Sequence, residues 1–371
     1  MSKSNAENER IKRRYFAYLK EASRYSEQSV DAVAKALARF EQYTKLRDFK
    51  AFHHQQAVAF KHHLAEQRAE RTGDKLSKAT LHATLNHLKK FFYWLAGQPG
   101  YKSRFQYADA DYFNLSDNDM RVATAKREQK APTVEQVRHV IAMMPAVTDI
   151  ERRDRALLAF TILTGARDSA IASAKLKHVD VQADCFYQDA REVRTKFAKT
   201  FTTTFFPVGD DIRAMVVEWV TYLREGLLWG NDDPLFPATA VAYGSDSRQF
   251  EAAGLDRKGW RSATAIRKIF RTAFEAAGLP YFNPHSFRHT LVLLGEQVCQ
   301  SPADFKAWSQ NLGHEKVLTT LYSYGEVSPR QQAEIIKRLG RPQAPTNSVT
   351  ADEIVEATLR RLQAGGAGAT G

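Results

Sequence analysis

Pro284-His285-Ser286-Phe287-Arg288-His289-Thr290, followed by Leu312-Gly313-His314 and then Tyr322-Ser323-Tyr324-Gly325, is the stretch on which the rest of the chain turns. It gathers three histidines, an arginine and two tyrosines within a short distance along the chain. A second arginine stands far upstream in Thr164-Gly165-Ala166-Arg167. Arginine forks grip phosphate oxygens at two points, imidazoles accept and return protons, and a phenol oxygen can attack phosphorus. These residue types together point to phosphoryl transfer without a metal. On a helix, His285 and Arg288 share a face because they are three residues apart, whereas the adjacent His289 points away and reads as structural.

Working outward, the order and spacing of Thr-Gly-Ala-Arg at 164–167, His-x-x-Arg-His at 285–289, Leu-Gly-His at 312–314 and a tyrosine shortly after resemble the tyrosine recombinase (phage integrase) family. The resemblance covers about half of the chain. It implies a mainly α fold with a small antiparallel β-sheet: an N-terminal helical, SAM-like core-binding domain and an α+β catalytic domain. It also implies roles. Arg167 and Arg288 hold the non-bridging phosphate oxygens, His285 takes the phenol proton or bonds the phosphate, and His314 supplies a further hydrogen bond. A hairpin lysine donates a proton to the leaving 5′ oxygen. Lys196 fits by its place after Thr195, Lys199 by its distance to Pro207, and Lys196 is preferred. Tyr324 is the expected nucleophile in its Ser-Tyr-Gly setting, with Tyr322 as the alternative. One departure stands out: where the family usually has an acidic residue three positions after the first arginine, this chain has Ala170. Asp168 or a more distant carboxylate would then orient Arg167, or no acid takes that place.

By the same resemblance the reaction is transesterification through a 3′-phosphotyrosyl link, with no cofactor, metal or ATP. The implied partners are double-stranded DNA recombination sites and a homotetramer assembled on them. Two other uses of such a chain are a type IB topoisomerase-like or hairpin-end resolving enzyme, and a DNA-binding relative that has lost catalysis.

The remaining sequence fits around that centre. With 371 residues the chain exceeds what one core usually holds, and a formal charge of +12 favours a polyanionic partner. Two distant cysteines, Cys185 and Cys299, suit a reducing compartment and give no disulfide framework. The first residues are polar rather than signal-like, and no run is long and apolar enough to cross a bilayer, so a cytoplasmic, nucleoid-associated protein is expected.

Residues 1–114 carry four helical patterns. Ile11, Tyr15, Tyr18 and Leu19 form the first stripe, and Val30, Val33, Ala34, Leu37 and Phe40 the second. A weaker pattern runs over 55–68. Leu81, Leu85, Leu88, Phe92 and Leu95 follow a Ser77 cap and end at Gly97. Lys78, Lys89 and Lys90 lie off that stripe, as a solvated surface or, by the resemblance, a phosphate-contacting face. The pairs His53-His54 and His62-His63 lack the spacing that sets two metal ligands on one helix face.

Residues 115–131 read as a linker, and Thr133 with Gln136 as a capping box that opens a catalytic domain at 132–340. An apolar helix from Ala156 to Leu163 runs into Gly165. The alternation of Cys185–Val208 predicts short antiparallel strands with a turn at 194–200. Helices are expected at 211–223 and 262–277, the second with Ile266, Ile269, Phe270 and Phe274 inward. Residues 238–258 read as an irregular loop. A helix at 329–339 precedes a tail, 341–371, in which Thr350 caps a short amphipathic helix with Ile354, Val355, Leu359 and Leu362 on one side. That helix must dock on its own domain or, as the resemblance implies, on a neighbouring protomer.

Overall fold

Serine, threonine and asparagine side chains start most helices in this chain, and their positions largely set its architecture. The computed structural model describes residues 4–69, 73–125, 130–243 and 249–314. The chain divides into two compact units, Met1–Lys126 and Arg127–Gly371.

In the first unit Asn5 caps α1 (Ala6–Glu21), accepting from the Glu7 and Asn8 amides, and Ser26 caps α2 (Glu27–Tyr43). α3 spans His54–Glu66, and α4 (Lys78–Ala96) begins at Ser77 and stops at Gly97, as the sequence predicts. Their apolar stripes bury Ile11, Tyr15 and Leu19, then Val30, Val33, Leu37 and Phe40, then every expected position of α4. Tyr18 departs from its stripe and is 43% exposed. The centre is aromatic: Phe52 stacks on Phe92 at 3.8 Å, and Phe40 meets Phe60 and Phe92 edge-on at 5.2 and 5.4 Å. Below it, buried Asn8 donates to Glu41 and the Arg47 carbonyl and accepts from the Phe49 amide, so this polar group is satisfied.

Two lysines of the expected basic face are engaged within the unit: Lys78 pairs with Asp119 and Lys89 with Asp111, each at 2.8 Å. Of the paired histidines, His54 lies 3.6 Å from Asp109 and His63 bonds Gln67. The stretch expected to be wholly linker contains a helix, α5 (Asp117–Thr124). It buries none of its residues, which is why it left no periodicity to read; Ser116 caps it, and Asp117 and Asp119 lie in its first turn, favourable to the helix dipole.

The second unit opens with α6 (Val134–Met143), where Thr133 and Gln136 form the expected capping box. α7 (Asp149–Thr164) is the central helix, buried at every position from Ala156 to Thr164. It ends at Gly165 in a left-handed conformation (φ 59°), and a short helix, α8 (Asp168–Ile171), follows. A three-stranded antiparallel sheet comes next, β1 (Val179–Asp180), β2 (Cys185–Gln188) and β3 (Phe201–Thr204), in spatial order β1-β2-β3 with Cys185 opposite Thr204. α9 (Asp210–Thr221) runs on into a wider π turn.

The segment read as an irregular loop is instead a hairpin, β4 (Ala238–Tyr243) paired antiparallel with β5 (Phe250–Asp256) through a register shift between Thr239 and Val241. Neither strand buries a residue, so no alternation marks it in the sequence. α10 (Thr264–Ala276), α11 (Pro284–Val298) and α12 (Pro302–Asn311) complete the described part, with Ile266, Phe270 and Phe274 inward and Ile269 only partly buried. The fold is therefore mainly helical with small antiparallel sheets. Among the described residues no helix is long and apolar enough to cross a membrane.

Candidate active site

Arg288 is 2% exposed, one of the largest fully buried side chains among the described residues. It rises from α11, which Asn283 caps and Pro284 begins. Its Nη1 donates to the Gly165 carbonyl, its Nη2 donates to the Leu312 carbonyl, and the same Nη2 lies 3.1 Å from His314 Nε2. One guanidinium thus ties together the three motifs that sequence order had separated: the 164–167 turn, α11 and the 312–314 turn.

Two glycines make this approach possible. A Cβ on Gly165 would lie 2.8 Å from Leu291 and 2.9 Å from Leu312. A Cβ on Gly313, where φ is 72°, would lie 2.6 Å from the Phe201 ring. α12 is fastened on both sides. Trp308 donates to the Leu291 carbonyl, and Gly295 leaves room for its indole. The Asn311 amide donates to the Thr204 carbonyl and accepts from the Thr204 amide of β3 at 2.8 and 2.7 Å. Nothing in the sequence marked Asn311 or Phe201 as supports of the Leu-Gly-His turn.

Because guanidinium has no lone pair to offer, His314 Nε2 accepts from Arg288 and its proton sits on Nδ1. Burial first, then the charges of Arg288 and Arg167, hold the His314 pKa down at about 4. His285 stands at the exposed start of α11, yet its pKa is also lowered, by desolvation of the ring and then by Arg288 and Arg167. Both imidazoles are therefore neutral near pH 7, the state in which one can accept a proton. The charge of Arg167 acts on both imidazoles, so Arg167, His285, Arg288 and His314 are electrostatic neighbours. His289, next to Arg288 on α11, is also buried.

The Asp168 carboxylate, expected to orient Arg167, is gripped by Arg267, whose Nε and Nη2 lie 2.8 and 2.7 Å away. Ala170 is buried in the core. The β2–β3 turn lies close to this group: the charge of Lys196 acts on His285 and that of Lys199 on His314, so position alone does not rank them. Tyr322, Tyr324, the expected helix at 329–339 and the tail at 341–371 lie outside the described residues. Among the described residues no cluster of histidine, cysteine or carboxylate side chains is arranged to hold a metal ion.

Residues 132–330 match the sequence profile of the phage integrase family, more than half of the chain and the whole span of these motifs. The chain belongs to the phage integrase family. A tyrosine recombinase XerC from Lactobacillus delbrueckii subsp. bulgaricus is 23% identical over 252 residues, covering 67% of this chain and 72% of that protein. Among solved structures, a lambda integrase dimer bound to a COC′ core site matches 86% of this chain and 96% of its own with a TM-score of 0.57 at 13% identity. The XerH site-specific recombinase bound to a palindromic difH substrate matches 89% and 85% with a TM-score of 0.56 at 19% identity. These structural likenesses establish the integrase fold.

Proposed function

We propose that this protein is a site-specific DNA recombinase that cuts and rejoins duplex DNA through a 3′-phosphotyrosyl intermediate. The observation that carries the reading is the convergence on Arg288 of the Gly165, Leu312 and His314 groups, with the charge of Arg167 reaching both His285 and His314. A phosphodiester resists attack because its charge repels nucleophiles, so a catalyst must spread that charge, deprotonate the attacker and protonate the leaving group.

In this reading Arg167 and Arg288 carry the first task. The Tyr324 oxygen forms a bond to phosphorus while its proton passes to neutral His285, and His314 donates a hydrogen bond to a non-bridging oxygen. The bond from phosphorus to the 5′ oxygen breaks, and that oxygen takes a proton from Lys196, or from Lys199 in its place. The released 5′ hydroxyl then attacks the phosphotyrosyl link of a partner strand, so bond energy is conserved. The N-terminal helical unit grips the duplex from its basic face, residues between it and residue 132 link the two, and four protomers pair two sites. Such an enzyme works in the cytoplasm, on the nucleoid.

A duplex nicked just beside the cleavage site traps the covalent complex, because the short 5′ product diffuses away. Covalent protein–DNA adduct that disappears in Tyr324→Phe, together with strand exchange between two duplexes, supports the proposal. Adduct lost in Tyr322→Phe instead moves the nucleophile, and tight binding with no adduct overturns it.

A further inference from the structure

The turn between β2 and β3 holds an aromatic ring out in solvent at a cost in backbone conformation. Phe197 is 84% exposed, the highest value for a large apolar side chain among the described residues. It sits at φ 61° and the next residue, Ala198, at φ 49°. Neither is a glycine or asparagine, the residues that adopt this left-handed conformation at little expense.

The turn is not loose at its base. Ala190 donates to the Thr200 hydroxyl across the stem, and Arg194 reaches the carbonyls of Arg261 and Trp260 at 2.7 and 2.9 Å. Ser169 of α8 donates to the Arg194 carbonyl, and Ser173 accepts the Arg194 amide. A held stem and a left-handed apex together push the ring outward, where a relaxed turn would let it fold back onto the surface. The turn lies beside the candidate catalytic residues, since Ser169, which holds its stem, follows Arg167 by two positions. Lys196 Nζ lies 4.9 Å from the ring centroid, and that lysine's charge acts on His285.

An isolated ring flanked by Lys196 and Lys199 is a poor protein-docking patch, which needs contiguous apolar area. It suits nucleic acid: the two ammonium groups meet the backbone and the ring meets the face of a base. We propose that Phe197 wedges into the base step beside the cleaved phosphate, unstacking it so that the strand bends its phosphate down to Arg288. This rests on the recombinase reading above. It assigns to the turn a mechanical task distinct from the proton donation expected of its lysine.

The test uses nicked duplexes captured covalently by the wild-type protein from a randomised pool, with 2-aminopurine placed at the step next to the cut. Wild type should brighten the probe, and Phe197→Ala should not. Phe197→Ala should form adduct roughly 10-fold more slowly, the loss of one base–aromatic stack, while Phe197→Trp stays near wild type. A mismatch at that step, which unstacks it in advance, should return Phe197→Ala to nearly the wild-type rate. Phe197→Gly, which relieves the left-handed strain, should melt no lower than wild type yet react as slowly as Phe197→Ala. If Phe197→Ala cleaves at the wild-type rate, or its defect persists on mismatched DNA, the wedge does not exist. If wild type captures no duplex at all, the recombinase reading falls and this inference with it.

Discussion

Arg288 and Lys196 both bring positive charge to bear on His285, but from opposite kinds of surroundings. Arg288 is enclosed, its fork committed to the Gly165 and Leu312 carbonyls and to His314. Lys196 rides an exposed turn, its ammonium over a ring that itself faces solvent. The floor is assembled before any substrate arrives, which is what electrostatic stabilisation of a developing charge requires. The rim leaves its groups in water, free to settle on whatever strand is presented. Residues of the floor should therefore matter to folding as well as to chemistry, and residues of the rim to chemistry alone.

Arg288→Lys attacks that contrast hardest. Lysine keeps the charge but cannot span two carbonyls and an imidazole, so about 3–5 kcal/mol of stability should be lost. Denaturant unfolding measures it, and DNA cleavage should fall at least ~100-fold alongside. A variant as stable as wild type would mean that the guanidinium does not hold the turns together. Gly313→Ala comes next: a left-handed alanine pressed against Phe201 should cost roughly 2–3 kcal/mol. Adding Phe201→Ala should recover part of the clash, and a double-mutant cycle showing no coupling would refute the contact.

The floor should also leave a mark on pH dependence. The folded pKa of His314, about 4, lies below the ordinary 6.5, so between those values the unfolded chain binds a proton that the folded one refuses. Stability should be complete above pH 6.5 and fall as pH drops toward 4, by up to about 1.4 kcal/mol per unit from this group. His285 adds in the same direction. His314→Gln should flatten the slope; an unchanged slope would remove the buried neutral imidazole from the account. Smallest on folding are Lys196→Ala and Lys199→Ala, each within about 0.5 kcal/mol of wild type. One of them should slow cleavage by about 100-fold or more, the usual worth of a general acid. A substrate whose leaving 5′ oxygen is replaced by sulfur, which departs without a proton, should restore that variant alone. Restoration of neither would take proton donation away from both.

What the sequence conveyed follows from the same division. Helices with a buried stripe, such as α2 and α4, were readable because burial imposes a period. The Thr133–Gln136 box and the Gly165 stop were readable because each meets one local need of a helix end. α5 and the β4–β5 hairpin were not, since neither buries a residue and an unburied element carries no hydrophobic pattern. Arg167, His285, Arg288 and His314 stood out through their motifs. Their supports did not: Asn311 and Phe201 act through tertiary contacts, and Arg267 takes the Asp168 carboxylate from a helix about a hundred residues away.

The Asn311 amide has a consequence beyond steadying its neighbours. Among the described residues β3 is the outer strand of its sheet, and an outer strand with open amides and carbonyls invites another chain to pair with it. By giving and taking one hydrogen bond at Thr204, Asn311 behaves as a single residue of a neighbouring strand and closes the sheet at that point. Wherever copies of the chain meet, one side chain thus denies their strands that route to aggregation.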